Sequence, residues 1–138
     1  MVMPYIVFKG NCKEALEFYE VVFDSKAKVM EYGEYVPVGY YAPPENLSEW
    51  VLHGEMEICG TNFWFADEVH PVTVGNMVRL TIKVPTKEEA RRIFEMLSND
   101  GCVTLEPVET FYSSFHGALT DKFEVNWNVV AEEGPKKS

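Results

Sequence analysis

Positive charge is scarce in this sequence: 12 lysines and arginines stand against 22 aspartates and glutamates, a net charge of −10 over 138 residues. A surface of that sign repels phosphate backbones and anionic headgroups, so neither nucleic acid nor a membrane is an expected partner. Long apolar runs are missing too, and none approaches the roughly 20 residues a bilayer span requires. The opening MVMPYIVFKG has neither the charged leader nor the long apolar segment of a secretory signal. The expected location is the cytoplasm. Cysteine is limited to Cys12, Cys59 and Cys102, an odd number without metal-type spacing. That excludes a disulfide framework and a zinc knuckle, and leaves buried free thiols as the expectation for most of them. No glycine-rich phosphate loop, GxSxG elbow or CxxC pair occurs, which removes the common signatures of nucleotide, serine-hydrolase and dithiol chemistry.

What the sequence does contain is apolar and aromatic matter, 46% and 14% of its residues. In a chain of this length that suffices for one sizeable core. One domain is expected over residues 1–132, followed by a disordered polar tail at 133–138. The chain also repeats itself: FKGNCKEALEFYEVVF at 8–23 returns as IKVPTKEEARRIFEML at 82–97. Asn11 and Thr86 stand as N-caps with Glu14 and Glu89 three residues on, a capping-box pattern in each copy. The same alignment sets Ala15 on Ala90, Tyr19 on Phe94 and Glu20 on Glu95. The stripes Ala15, Phe18, Tyr19, Val22 and Ala90, Ile93, Phe94, Leu97 both have the spacing of a one-sided helix.

A strand precedes each helix. Over 77–84, Val78, Leu80, Ile82 and Val84 alternate with Met77, Arg79, Thr81 and Lys83. The aliphatic side belongs under the helix, and the side with a cation and a hydroxyl belongs to a second, wetter surface. In the first copy the same phase assigns Pro4, Ile6 and Phe8 to the wet side and Tyr5 and Val7 to the helix side. Three strand-like segments follow each helix: KAKVMEYG, EWVLHGEMEICG and TNFWFAD, then CVTLEPV, FHGALTD and VNWNVVA, with a hairpin near Gly60. The order βαβββ thus occurs twice, at about 3–67 and 75–131, and predicts an α+β fold. Residues 32–48, rich in Pro, Gly and Tyr, form a lid, a partner contact or an ordered surface excursion.

PYIVFKGNCKEALEFYEVVF, the isolated His53 before GEMEICG, and ETFYSSFHGALTDKFEVNW together resemble the PhnB-like branch of the vicinal oxygen chelate superfamily. Glyoxalase I and the bleomycin-resistance proteins belong to that superfamily. The resemblance spans nearly the whole chain and implies the glyoxalase-like fold. In it, paired βαβββ modules curl as a mixed sheet into a partly open barrel around a cleft, commonly in a homodimer. Two departures stand out: Tyr112 and Ser113 where the family often has Trp and Gly, and Glu124 where the last turn usually has Gly. Metal-using members place a His, Glu or Gln on each of four cleft strands, and those places fall here near Pro4, Trp64, Arg79 and Asn128. Pro and Trp cannot hold a divalent cation, Arg is itself a cation, and the Asn amide oxygen is a weak donor. The expected cofactor is therefore none, with a divalent metal ion as the alternative. His53, Glu55 and Glu57 share one strand face as a rival donor set, but same-face neighbours lie about 6.5–7 Å apart, too far to meet one ion easily. The family name also travels with a 3-demethylubiquinone 3-methyltransferase label, for which the sequence has no loop to cradle S-adenosylmethionine.

The candidate ligand-binding residues are the aromatics Phe8, Trp64, Phe111, Tyr112 and Phe115 and the polar groups His53, Arg79, Thr81, Asn126 and Asn128. That mixture suits a small, flat or partly apolar organic molecule with an anionic or carbonyl end for Arg79. The aromatics equally suit the filling of a closed barrel or a dimer seam, and His53 equally suits a structural role. No catalytic residue is singled out. Cys12, at a helix N-terminus, is a candidate reactive thiol. Asp121 is expected to brace a turn, and His70 and His116 to lie in loops. Two functions follow: a binding protein with an aromatic, metal-free cleft, or a glyoxalase-type lyase, isomerase or dioxygenase using a divalent metal.

Overall fold

The computed structural model describes residues 1–34 and 47–135. The centre of the expected lid, 35–46, and the last three residues of the expected tail lie outside the described residues. The chain divides into two compact units, Met1–Thr73 and Val74–Ser138, a border that falls between the two sequence repeats. The first unit holds β1 (Tyr5–Phe8), α1 (Cys12–Phe23), β2 (Lys28–Glu31), β3 (Val51–Ile58) and β4 (Thr61–Asp67). The second holds β5 (Leu80–Val84), α2 (Lys87–Ser98), β6 (Cys102–Val108), β7 (His116–Thr120) and β8 (Asn126–Ala131). Each unit forms its own four-stranded mixed sheet, in the orders β1-β4-β3-β2 and β5-β8-β7-β6. The first and last strands of each copy pair in parallel and the rest are antiparallel. This is the α+β glyoxalase-like fold, with two sheets that are not closed. Among the described residues no helix is long and apolar enough to cross a membrane.

Each helix covers one face of its sheet. On α2 the buried residues are Ala90, Ile93, Phe94 and Leu97, the stripe read from the sequence, and they pack over Ile82, Val84, Leu119, Trp127 and Val129. On α1 the buried set is Cys12, Ala15, Leu16, Tyr19 and Val22. Its core is an aromatic stack in which Phe65 meets Phe8, Tyr19 and Phe63 with ring centroids 6.0–6.5 Å apart. Burying such rings contributes roughly 1.5–3 kcal/mol each.

The strand before α1 has the opposite phase from the one the repeat suggests. Ile6 and Phe8 pair with Phe65 and Asp67 on the helix side, while Tyr5 and Val7 pair with Trp64 and Ala66 on the other. The reason is one residue. Lys9, Gly10 and Asn11 separate β1 from α1, whereas only Pro85 and Thr86 separate β5 from α2. A strand shifted by one residue presents every side chain to the other face. Gly10 absorbs the extra length at φ 99°, and a Cβ there would lie 2.7 Å from the Trp50 ring. β5 also begins later than expected, leaving Met77 and Val78 exposed.

The two helix starts differ as well. Thr86 caps α2 as its sequence predicts, its Oγ1 accepting from Glu89 N at 3.2 Å. Asn11 makes no side-chain cap on α1. The buried Asp67 takes that place: its Oδ1 accepts from Gly10 N and Cys12 N at 2.8 and 3.0 Å, and its Oδ2 from Val51 N at 2.9 Å. In the second unit Glu133, read from the sequence as tail, accepts from Lys87 N at 2.9 Å and is tied by backbone bonds to Pro85 and Ser114. In both copies an acidic residue at or just past the last strand accepts from the first N–H group of the helix.

Candidate functional site

With one face of each sheet closed by its helix, the opposite faces carry the unspent chemistry. In the first unit Tyr5, Trp64, Glu55 and Lys28 stand in register across β1, β4, β3 and β2. Tyr5 and Trp64 meet edge to face at 6.1 Å, and the His53 ring meets Trp64 at 4.7 Å, also edge to face. Trp64 Nε1 and Asn62 Nδ2 donate to Glu55 Oε1 at 3.0 and 3.3 Å, and His53 Nε2 lies 3.8 Å from Glu55 Oε2. The Asn62 hydrogen bond, then that of Trp64 and the charges of His53 and Lys28, hold the Glu55 carboxyl below the usual carboxylate range. Tyr5 and Trp64 remain exposed.

On the open face of the second unit Thr81 pairs with Asn128 and Asn128 with Ala118; Lys83 pairs with Val130 and Val130 with His116. Asn128 Nδ2 donates to Thr81 Oγ1 at 3.4 Å, and Thr120 Oγ1 to Asn126 Oδ1 at 2.7 Å. His116 Nδ1 is hydrogen-bonded to the Tyr112 hydroxyl, and Phe111 sits edge to face with Tyr112 at 5.0 Å.

Register exposes a correspondence that the helix alignment had hidden. Gly54 pairs with Phe65, itself beside Ile6, as Gly117 pairs with Val129, itself beside Ile82. The dipeptides His53-Gly54 and His116-Gly117 are therefore equivalent. Each glycine admits a helix: a Cβ would lie 3.1 Å from Leu16 at Gly54 and 2.7 Å from Phe94 at Gly117. The preceding histidine then points to the open face. The recurring HG was visible in the sequence, but offset from the helix repeat. His116 is accordingly the first residue of β7 and not a loop residue, whereas His70 is exposed in a loop.

The residues singled out from sequence thus divide. His53 and Trp64 come together in the first unit; Thr81 with Asn128, and Phe111 with Tyr112, come together in the second. Arg79 is exposed just before β5, its Nε 3.4 Å from the Asn76 carbonyl that accepts from it. Phe8 and Phe115 belong instead to the helix-side cores, 5% and 2% exposed, Phe8 stacked on Phe65 and Phe115 edge-on to Phe94. Cys12 is not a reactive thiol. Burial, with the Asp67 carboxylate beside it, pushes its pKa far up and outweighs the helix dipole. Cys59 and Cys102 are exposed, not buried. Asp121 braces its turn as expected, accepting from Phe123 N, Val125 N and Trp127 Nε1 at 2.8–3.1 Å.

A metal finds little to hold it. Of the four places that the resemblance assigns to metal ligands, Trp64 donates its N–H to Glu55 and Asn128 points its amide nitrogen at Thr81. Among the described residues no three His, Cys, Asp or Glu side chains converge as a metal group, His53, Glu55 and Glu57 included. A groove of about 410 Å³ lies on the helix side of the first unit, along α1 and β2. Of the carboxylates lining it, Glu31 is engaged by Lys13 and Glu20 by Ala27 N at 2.9 Å.

Comparison with known proteins agrees with this architecture. The profile of the family described as 3-demethylubiquinone-9 3-methyltransferase matches residues 1–130. The protein YjdN of Escherichia coli K12 is 27% identical over 94% of this chain and 95% of its own. PA1353 from Pseudomonas aeruginosa superposes with a TM-score of 0.79 at 26% identity, over 96% of this chain and 97% of that one. A putative 3-demethylubiquinone-9 3-methyltransferase, PhnB protein, from Bacillus cereus gives 0.76 at 26%, over 94% and 98%. A glyoxylase/bleomycin resistance protein/dioxygenase domain from Frankia sp. EAN1pec shares the fold, with a TM-score of 0.66 at 10% identity over 96% and 97%.

Proposed function

Because this chain belongs to the 3-demethylubiquinone-9 3-methyltransferase family, in the PhnB-like branch of the vicinal oxygen chelate superfamily, we propose that it is a small-molecule binding protein using the helix-free sheet faces, without a resident metal. One observation carries the reading: α1 and α2 close one face of each sheet, while the opposite faces keep Tyr5 and Trp64, and the loop residue Tyr112 bonded to His116, exposed among directional polar groups. Exposed aromatic surface beside a few oriented donors and acceptors is what a small, partly apolar organic ligand requires. Arg79 is the group for an anionic or carbonyl end.

The donor chemistry at Pro4, Trp64, Arg79 and Asn128 supports binding over metal-assisted isomerisation or oxygenation. Methyl transfer from S-adenosylmethionine has as little support. The sequence has no glycine-rich loop to cradle that cofactor.

Titration with aromatic carboxylates, read by tryptophan fluorescence, tests the proposal. Arg79→Ala should weaken binding about fivefold or less, the range of an exposed ion pair, without moving the urea midpoint. Near-stoichiometric zinc, nickel, iron or manganese in the native protein would overturn the metal-free reading. The family resemblance also supports a homodimer, to be checked by light scattering.

A further inference from the structure

We propose that the open face of the first unit recognises an organic cation, a quaternary or substituted ammonium group seated against Trp64 and Tyr5 and countered by Glu55. The inference rests on the binding reading above and adds a ligand class to it.

Three features point to positive charge. Glu55 Oε1 is held by two uncharged donors, Trp64 Nε1 and Asn62 Nδ2, at 3.0 and 3.3 Å. Neutral donors orient a carboxylate without cancelling its charge. The second oxygen, Oε2, makes only a 3.8 Å approach to His53. Next, the aromatic surface beside that oxygen is solvent-exposed: Trp64 is 36% and Tyr5 56% exposed, and their edge-to-face arrangement fixes two ring orientations at one place. A negative ring face next to an anion attracts a cation and repels an anion. Finally, Glu57 lies on the same face, opposite Asn62, so the fixed charge there is predominantly negative. Lys28, directly across from Glu55, is the local competitor; it is exposed and forms no ion pair of 4.0 Å or less with Glu55. A soft organic cation exploits both rings and the carboxylate, whereas a strongly hydrated metal ion would find one carboxylate and no second hard ligand.

Choline and its uncharged carbon isostere 3,3-dimethyl-1-butanol are the probes, titrated into the full chain by calorimetry and tryptophan fluorescence. Choline should bind at least about fivefold tighter than the isostere, the scale of a part-exposed cation–π contact. Glu55→Gln and Trp64→Leu should each remove that preference, while Lys28→Gln should tighten choline binding, all with unchanged circular dichroism. Equal affinity for the two probes, no choline binding, or choline binding indifferent to both Glu55→Gln and Trp64→Leu would overturn the inference. Aromatic carboxylates binding in an Arg79-dependent way under those same conditions would leave the broader binding proposal standing, so the two failures are distinct.

Discussion

At the scale of single residues, backbone conformation and burial make sharp demands on a few positions. Glu124 sits at φ 71° in the turn before β8, a backbone conformation that favours glycine. A non-glycine residue there pays roughly 1 kcal/mol of steric strain. Glu124→Gly should therefore raise stability by about 0.5–1 kcal/mol in urea unfolding, the gain being reduced by the looser unfolded chain. The thiols give a second test. Cys59 and Cys102 are exposed and Cys12 is fully buried with a raised pKa. An aromatic disulfide reagent should titrate two thiols in the native protein and the third only after denaturation. Rapid modification of all three would show that the α1 start is not packed as described.

Among elements, the helix starts matter most. The Asp67 carboxylate satisfies three backbone N–H groups from three segments, at Gly10, Cys12 and Val51. Asp67→Ala leaves those donors buried and unpaired, so a loss of about 2–4 kcal/mol is expected by urea denaturation. Asn11→Ala should be nearly neutral, since Asn11 makes no cap. The same logic applies where a helix meets a glycine: Gly117→Ala would drive a methyl to 2.7 Å from the Phe94 ring and should lower stability by about 1–3 kcal/mol.

For the molecule as a whole, a net charge of −10 means self-repulsion among surface carboxylates. Raising ionic strength from about 0.01 to 0.15 M shortens the Debye length from about 30 to 8 Å. The melting temperature should accordingly rise with added salt. A fall would mean that attractive pairs such as Lys13 with Glu31 dominate the surface instead. The same charge predicts that duplex DNA is not retarded by this protein at physiological salt.

The order of elements was legible from sequence because its signals are local: helical spacing over 87–98, strand alternation over 80–84, and a Thr86 cap three residues from its donor. Family resemblance supplied the glyoxalase-like fold, and the βαβββ repeat agreed with it. What sequence misjudged depended on a count of one or on partners far away in the chain. One extra residue in the Lys9–Asn11 turn inverts β1, moving Phe8 into the core and Tyr5 to the open face beside Trp64. Asp67 reaches the α1 start across 55 residues, and no periodicity announces such a bond. Local sequence specifies which segments become strands and helices, because their periods are short; tertiary structure alone decides which side chains share a face, because pleating makes that assignment turn on parity.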